Sequence, residues 1–176
     1  DNNGTDAPSS RKEQSSNDGQ PISVASIRQN LAKALCNVGR VHEALDQLDT
    51  ITKHAPNYLP SYFTRATIFC QFPLNGAPNI QPEQYQRALA EIDAVLRLDP
   101  TSCEAYLQRG VIYLNMEDHD SALKAFSIAL DYTQNPKDIR ALKGRAICHY
   151  YRQEFDAAIS DYTECLSVKP REMDLY

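Results

Sequence analysis

The sequence lacks several features that would indicate other classes of protein. No stretch approaches the roughly 18 consecutive apolar residues of a membrane-spanning helix. Basic residues are not in excess, with 18 Lys and Arg against 23 Asp and Glu and a net charge of −5. Since nucleic-acid binding needs a basic stripe, we expect no nucleic-acid partner. No signal peptide is visible, and the first residue is Asp1 rather than Met, which indicates a processed or partial chain.

Signatures of catalysis and of bound groups are also missing. There is no Gly-rich phosphate loop and no nucleophile elbow, and the four histidines lie in different segments without a metal-ligand spacing. His149 takes the place that Tyr113 has one repeat earlier, so a packed histidine is favoured over a ligand. We therefore predict no enzyme activity, no cofactor and no metal site.

The five cysteines form no C-x-x-C pair, and their odd number argues against a disulfide framework or a zinc site. Most of them fall within predicted helices, where a small buried thiol is the ordinary interpretation. This usage indicates a reducing compartment, with the cytoplasm as our expectation, although a nuclear or soluble organellar location would fit as well.

Pairs of small residues recur through the chain. The pairs are Ala32 with Ala44, Ala66 with Ala88, Gly110 with Ala122, and Ala146 with Ala158. The members of a pair are twelve residues apart, except in the second pair, which is stretched by ten. Without that stretch, the second members recur every 34 to 36 residues. A fixed period in this range indicates a solenoid of stacked helix pairs.

The period and the apolar stripes divide the chain into a tail, a repeat domain and a short C-terminal stub. Residues 1–21 hold no large apolar cluster and are predicted to be a disordered polar tail. The repeat domain is predicted over 22–172. Its repeats span about 25–58, 59–102, 103–136 and 139–172, and 173–176 remain as the stub of a following segment. The second repeat carries an insert, 73–82, whose three prolines and glycine preclude a helix, while Pro82 suits the first turn of the helix that follows.

These residues resemble tetratricopeptide repeats. One unit matches the family pattern at Tyr106, Gly110, Tyr113, Ala122, Phe126 and Ala129. Another unit matches it at Ala158, Tyr162 and Pro170. The resemblance covers about 25–172, and the first unit departs from it with Arg28 where Tyr106 stands. It implies an all-α, right-handed superhelix of about four helix-turn-helix units, whose first helices line a concave groove, and it implies protein binding rather than catalysis.

Helical register projects a set of side chains into that groove. The projected groove residues are Asn30, Lys33, Asn37, Phe63, Thr67, Gln71, Gln108, Val111, Leu114, Asn115, Lys143, Ile147 and Tyr150. The set is apolar and rich in amides, which suits an extended peptide or an amphipathic helix of a partner protein. The alternative is that some of these residues belong to the core between helices.

A groove for acidic chaperone C-termini is less favoured. Relatives of that kind use a clamp of Lys, Asn and Arg on successive first helices. The matching positions here hold Gln29, Lys33, Thr64, Glu104 and Gln108. The hydrogen-bond donors that such a clamp uses to hold a carboxylate are missing, and Glu104 would repel a carboxylate.

A structural subunit of a larger assembly, docked by its ends or its convex face, is the main alternative to a groove-binding adaptor or scaffold. The stub 173–176 is too short for the polar helix that caps a solenoid. Either the native chain continues, or the last apolar face is covered by a partner or a second copy. The insert 73–82 is either a surface excursion or a contact element.

A charge pattern predicts ion pairs inside the repeats. Arg65 and Arg145 each precede a small crossing residue, and Glu91 and Asp161 follow the matching small residue of the second helix by three positions. We predict pairs Arg65–Glu91 and Arg145–Asp161. Arg109 has no acid at the equivalent position and is expected to lack a partner.

Overall fold

The computed structural model describes residues 23–74, 76–133 and 138–167, and these ranges contain helices and no strand. The helices, in chain order, are α1 (Val24–Asn37), α2 (Val41–His54), α3 (Leu59–Gln71), α4 (Pro82–Leu98), α5 (Cys103–Asn115), α6 (His119–Tyr132), α7 (Ile139–Tyr151) and α8 (Phe155–Ser167). The predicted tail, 1–21, and the predicted stub, 173–176, lie outside the described residues. None of the described helices is long and apolar enough to cross a membrane.

Short polar side chains start several of the helices. The Ser23 hydroxyl accepts from the Ser26 amide at 3.1 Å, and the Asp118 carboxylate accepts from the Ser121 amide at 3.0 Å. A side-chain oxygen at this position satisfies an amide that has no partner within the helix. The same backbone hydrogen bond from Ser121 lowers the pKa of Asp118, because it stabilises the charged carboxylate.

The helices pack as antiparallel pairs, α1 with α2, α3 with α4, α5 with α6, and α7 with α8. Each second helix also packs against the first helix of the next pair. The first helices contact one another, α1 with α3, α3 with α5, and α5 with α7, whereas no second helix contacts another within the described ranges. First helices therefore lie on the inner side of the curve. The predicted all-α superhelix of about four helix pairs is confirmed, and the repeat bounds and the span 22–172 remain a proposal.

The small residues lie where the helices cross. The paired positions from Ala32 to Ala158 are buried, with exposed fractions of 3% or less for the seven alanines. Gly110 and Gly144 contact the ring of Phe126 from two successive first helices: a Cβ on Gly110 would lie 2.7 Å from its Cε1, and a Cβ on Gly144 would lie 2.4 Å from its Cζ. The absence of a Cβ thus lets one aromatic ring fill the space between two units.

The insert is anchored by one buried amide. Gln84 Nε2 donates to the carbonyls of Phe69 and Phe72 at 3.2 and 2.8 Å, and its Oε1 accepts from the Leu74 amide at 3.2 Å. Leu74 itself is buried in the core. α3 ends at Gln71, and Pro82 begins α4 as expected, while the bounds of the insert, 73–82, stay a prediction. Whether the insert contacts a partner stays a prediction.

The predicted ion pairs are present. Arg65 donates to both oxygens of Glu91 at 2.8 and 2.6 Å, and Arg145 donates to both oxygens of Asp161 at 2.8 and 2.7 Å. The expectation for Arg109 is wrong, because it pairs with Asp93 at 3.0 Å. Asp93 lies on α4, in the preceding helix pair, so the sequence rule that looked only within one repeat missed it.

Candidate partner-binding groove

The side-by-side first helices create a concave surface with a hollow at each end. The hollow between α1 and α3 holds about 230 Å³. It brings together four projected residues, Lys33, Asn37, Thr67 and Gln71. Cys36, Thr64, Ile68 and Phe72 complete its lining. This hollow presents an ammonium group and two side-chain amides beside an apolar wall, so it can accept a polar group next to an apolar one.

The hollow between α5 and α7 is larger, at about 500 Å³. It contains the projected residues Leu114, Asn115 and Ile147. Glu117, His119 and Tyr151 complete its lining. The His119 ring stacks on that of Tyr151 with their centroids 4.5 Å apart. The combination of aliphatic and aromatic side chains with one amide suits an apolar anchor of a ligand.

The other projected residues differ in exposure. Asn30 and Lys143 are exposed but line neither hollow, and Val111 is 49% exposed on α5. Phe63 is half-buried and packs against the central core cluster. Leu114 also packs against a core cluster while lining its hollow. The alternative of inter-helix core therefore applies to Phe63 and in part to Leu114.

Gln108 and Tyr150 connect the groove to its surroundings. Gln108 is half-buried and donates to Glu104 at 3.4 Å. Tyr150 is exposed, and its ring makes edge contacts with Tyr151 and Phe155, each with centroids 5.8 Å apart. The aromatic surface of α7 thereby continues past the groove onto α8.

Most polar side chains of the projected set have no partner among the described residues. Within those ranges, Asn30, Lys33, Asn37, Gln71 and Asn115 make no side-chain hydrogen bond or ion pair. A side-chain amide offers both donors and acceptors, so these groups are available to pair with a peptide backbone. No intramolecular bond would need to break for them to bind.

The groove carries little net charge at the positions of the chaperone clamp. Glu104 pairs with Arg140 at 2.7 Å, so the repulsion expected of Glu104 is offset. The hydrogen bonds that Arg140 donates to Asp138 and Glu104 raise the pKa of Arg140. Gln29 is buried and donates to the Pro60 carbonyl and to the Thr64 hydroxyl. Two clamp positions thus bind each other, which counts against recognition of an acidic tail.

The side chains of His149, Cys70 and Cys148, which could have served as catalytic or metal-binding groups, are engaged in structural contacts. His149 Nδ1 lies 2.6 Å from a carboxylate oxygen of Glu154, as expected for a satisfied histidine. Burial raises the pKa of the Cys70 and Cys148 thiols to about 11. Such thiols are protonated at neutral pH and poorly nucleophilic. In the described part of the chain, no group of three His, Cys, Asp or Glu is placed to hold a metal ion.

Seven of the lining residues were absent from the projected set, and two of these seven lie at the junction of α5 and α6 rather than on a first helix. Glu117 and His119 belong to the turn and start of α6, and Glu117 adopts a positive φ of 60°. Register along a helix cannot project side chains of a turn. The single available signal was the Asp118–His119–Asp120 cluster, which indicates only a polar turn.

Comparison with known proteins supports the same architecture. Residues 107–166 match the family model described as tetratricopeptide repeat. A TPR repeat-containing protein of Methanocaldococcus jannaschii is 33% identical over 87 residues, which is 49% of this chain but only 15% of that protein's length. A thermophilic TPR protein of Thermus thermophilus is similar in structure, with a TM-score of 0.70, 21% identity, and coverage of 85% of this chain and 76% of that one.

MamA of Desulfovibrio magneticus is also similar, with a TM-score of 0.65, 19% identity, and coverage of 82% of this chain and 75% of that one. At these identities the structural likeness concerns the fold alone. The match over residues 107–166 and the stacked helix pairs show that this chain contains tetratricopeptide repeats and has the fold of tetratricopeptide repeat proteins.

Proposed function

We propose that this chain is a non-catalytic adaptor or scaffold module whose groove binds an extended peptide or an amphipathic helix of a partner protein. The tetratricopeptide repeat fold supports protein–protein interaction in general. The finer proposal is carried by one observation: groove side chains meet in two hollows, and their amides and Lys33 have no other partner among the described residues. We place this role in a reducing compartment, with the cytoplasm as the first expectation.

Binding would combine apolar anchoring with backbone recognition. The hollow beside Leu114, Ile147 and Tyr151 would take an apolar side chain of the ligand. Asn37 and Gln71, at the other end, would pair with ligand amides or carbonyls. Apolar contacts supply most of the affinity in such grooves, and the amides fix the register of the bound segment.

A matched pair of variants tests the groove. Val111→Arg places a charge on α5 inside the groove, whereas Leu98→Arg places it on α4, outside the first helices. The two side chains are equally exposed, at 49% and 48%. We expect affinity capture with the Val111→Arg, Ile147→Arg double variant to lose the specific partners, while Leu98→Arg retains them. Far-UV circular dichroism and thermal melts establish that each variant is folded.

A peptide library gives a second readout with a defined ligand. Peptides selected on the intact chain should bind Val111→Arg at least about tenfold more weakly, because a buried unpaired charge costs more than a kilocalorie per mole. If the selected peptides bind Val111→Arg as tightly as they bind the original chain, the groove is not the recognition surface.

A structural subunit docked through its ends is the second candidate. The observation that favours it is the exposed apolar face of α8, which includes Phe155 and Ile159. In this case the partners captured by the intact chain and by Val111→Arg, Ile147→Arg would be the same.

A further inference from the structure

The two hollows of the groove differ in size and in charge. The hollow between α5 and α7 holds about 500 Å³, against about 230 Å³ for the hollow between α1 and α3. Among the described residues that line the larger hollow, Glu117 contributes the one carboxylate, and none is a lysine or an arginine. The described lining of the smaller hollow is the reverse, because it includes Lys33 and no Asp or Glu. The two ends of the groove therefore attract side chains of opposite charge.

The carboxylate of Glu117 is available to bind a cation. Its side chain is exposed and makes no hydrogen bond or ion pair with any other described residue. Lys143 of α7 is exposed but does not line the hollow. Arg152, in the adjoining turn between α7 and α8, already pairs with Asp120 and with Glu154. In the two turns beside the hollow, carboxylates thus outnumber guanidinium groups, which favours a cationic group on the ligand.

The polar and aromatic groups of the hollow suit arginine better than lysine. The Tyr151 ring is 61% exposed, and its stacking on His119 holds it beside the hollow. A planar guanidinium is attracted to an aromatic ring and can bind both oxygens of a carboxylate, whereas an ammonium is a compact point charge. The side-chain amide of Asn115 adds an acceptor that has no partner in the described part of the chain. A guanidinium has enough donors for the amide and the carboxylate together.

The aliphatic walls of the hollow suit the rest of an arginine side chain. Leu114 and Ile147 line it from α5 and α7. Arginine packs its methylene stem on apolar surface while its charged head stays at a polar rim. The volume of about 500 Å³ also leaves room for an apolar neighbour of the arginine, which is the anchor that the proposed function assigns to this hollow.

We propose that the hollow between α5 and α7 binds an arginine of the partner segment, next to an apolar residue of the same segment. The Glu117 carboxylate pairs with the guanidinium, and the Tyr151 ring stacks on it. This inference rests on the proposed function, because it names the ligand chemistry at one end of the same groove. Lys33 at the other end repels a cation, so the arginine also sets the direction in which the segment lies.

The turn that carries Glu117 provides a conservative variant for the test. Glu117 and Gln153 stand in equivalent turns, two residues after the ends of α5 and α7, with φ of 60° and 62°. Glutamine is thus compatible with this backbone, and Glu117→Gln removes the charge without new strain in the turn. Glu83→Gln is the matched control, because Glu83 is also exposed but lies at the start of α4, outside the groove.

A double-mutant cycle between the chain and a peptide measures the contact. Peptides are first selected from a displayed random library on the whole 176-residue chain, and we expect them to share an arginine beside an apolar residue. Replacing that arginine with citrulline, which has nearly the same shape but no charge, should weaken binding about tenfold, and lysine should weaken it about threefold. Glu117→Gln should weaken binding of the arginine peptide about threefold and leave the citrulline peptide unchanged. Glu83→Gln should change neither.

Charge reversal and removal of the ring test the two contacts separately. Glu117→Lys should bind the arginine peptide more weakly than Glu117→Gln does, because it replaces attraction by repulsion. A peptide with glutamate in place of the arginine should bind Glu117→Lys more tightly than it binds the original chain. Tyr151→Leu should weaken binding of the arginine peptide more than that of the lysine peptide, because leucine offers no ring for the guanidinium to stack on. Far-UV circular dichroism establishes that each variant is folded.

The outcomes separate this inference from the proposed function. Selected peptides that lose binding to Val111→Arg but carry no arginine, or that bind equally well with citrulline, would refute the arginine site and leave the groove as the recognition surface. Arginine peptides that respond to Glu117→Gln but not to Val111→Arg would support the site and contradict recognition by the groove as a whole. A chain that selects no peptide would contradict both proposals.

Discussion

Replacing Gly144 by alanine should destabilise the fold, although alanine is the better helix former. Helix propensity alone predicts a gain of about 1 kcal/mol in the interior of α7. The new Cβ would lie 2.4, 2.5 and 2.7 Å from three ring atoms of Phe126. The Phe126 ring is 1% exposed and also contacts Gly110, so it has little room to move. Overpacking of this kind costs about 1–3 kcal/mol, and we expect a net loss of about 1–2 kcal/mol.

Urea unfolding monitored by far-UV circular dichroism measures this loss of stability. A double-mutant cycle with Phe126→Leu shows whether the loss comes from contact with the Phe126 ring. Leucine lacks the ring atoms that meet the new methyl group, so the two changes together should cost at least about 1 kcal/mol less than their sum. Gly39→Ala is the control: its φ is +79° and its Cβ would meet nothing within 4 Å, so its cost should add independently to that of Phe126→Leu. A Gly144→Ala protein more stable than the original would refute the packing argument.

Three further predictions concern the partly buried polar contacts. Arg65→Ala should lower the free energy of unfolding by about 1–3 kcal/mol, because it leaves the Glu91 carboxylate without its bidentate partner; urea titration measures it. Gln84→Leu should cost about 2–3 kcal/mol by leaving backbone groups of the insert unpaired, and hydrogen exchange should accelerate there. Burial acts to raise the pKa of Asp138, but hydrogen bonds from Arg140 outweigh it and keep this pKa below its ordinary value. The resulting stability is complete above about pH 4 and is lost as the pH falls through the folded pKa, so acid unfolding of Asp138→Asn should depend less steeply on pH.

The helices, the inner position of the first helices and two ion pairs were predictable because each depends on a local period. A helical repeat fixes which residues share a face, so the pairs Arg65–Glu91 and Arg145–Asp161 followed from offsets within one unit. The same register projected Lys33, Asn37, Thr67 and Gln71 onto one surface, and these four side chains line one hollow between α1 and α3. Their binding of a partner stays a prediction.

The remaining features depend on contacts between units or on turn geometry. The pairing of Arg109 with Asp93 crosses from one unit to another, and the packing of Phe63 depends on how far the neighbouring helices approach. The stack of His119 on Tyr151 follows from a turn whose Glu117 has a positive φ. None of these is encoded in the spacing of residues along a single helix.

The position of Phe126 also affects the order in which the helix pairs unfold. In a stacked array each unit is held by its neighbours, so the strongest contact between units defines the block that unfolds last. At the other two contacts the equivalent side chains are Leu48 and Ile92, which bury less surface than an aromatic ring. The third and fourth helix pairs should therefore melt as one cooperative block, while the first pair opens earlier. Amide exchange under native conditions would then show protection that increases from α1 towards α6 and α7.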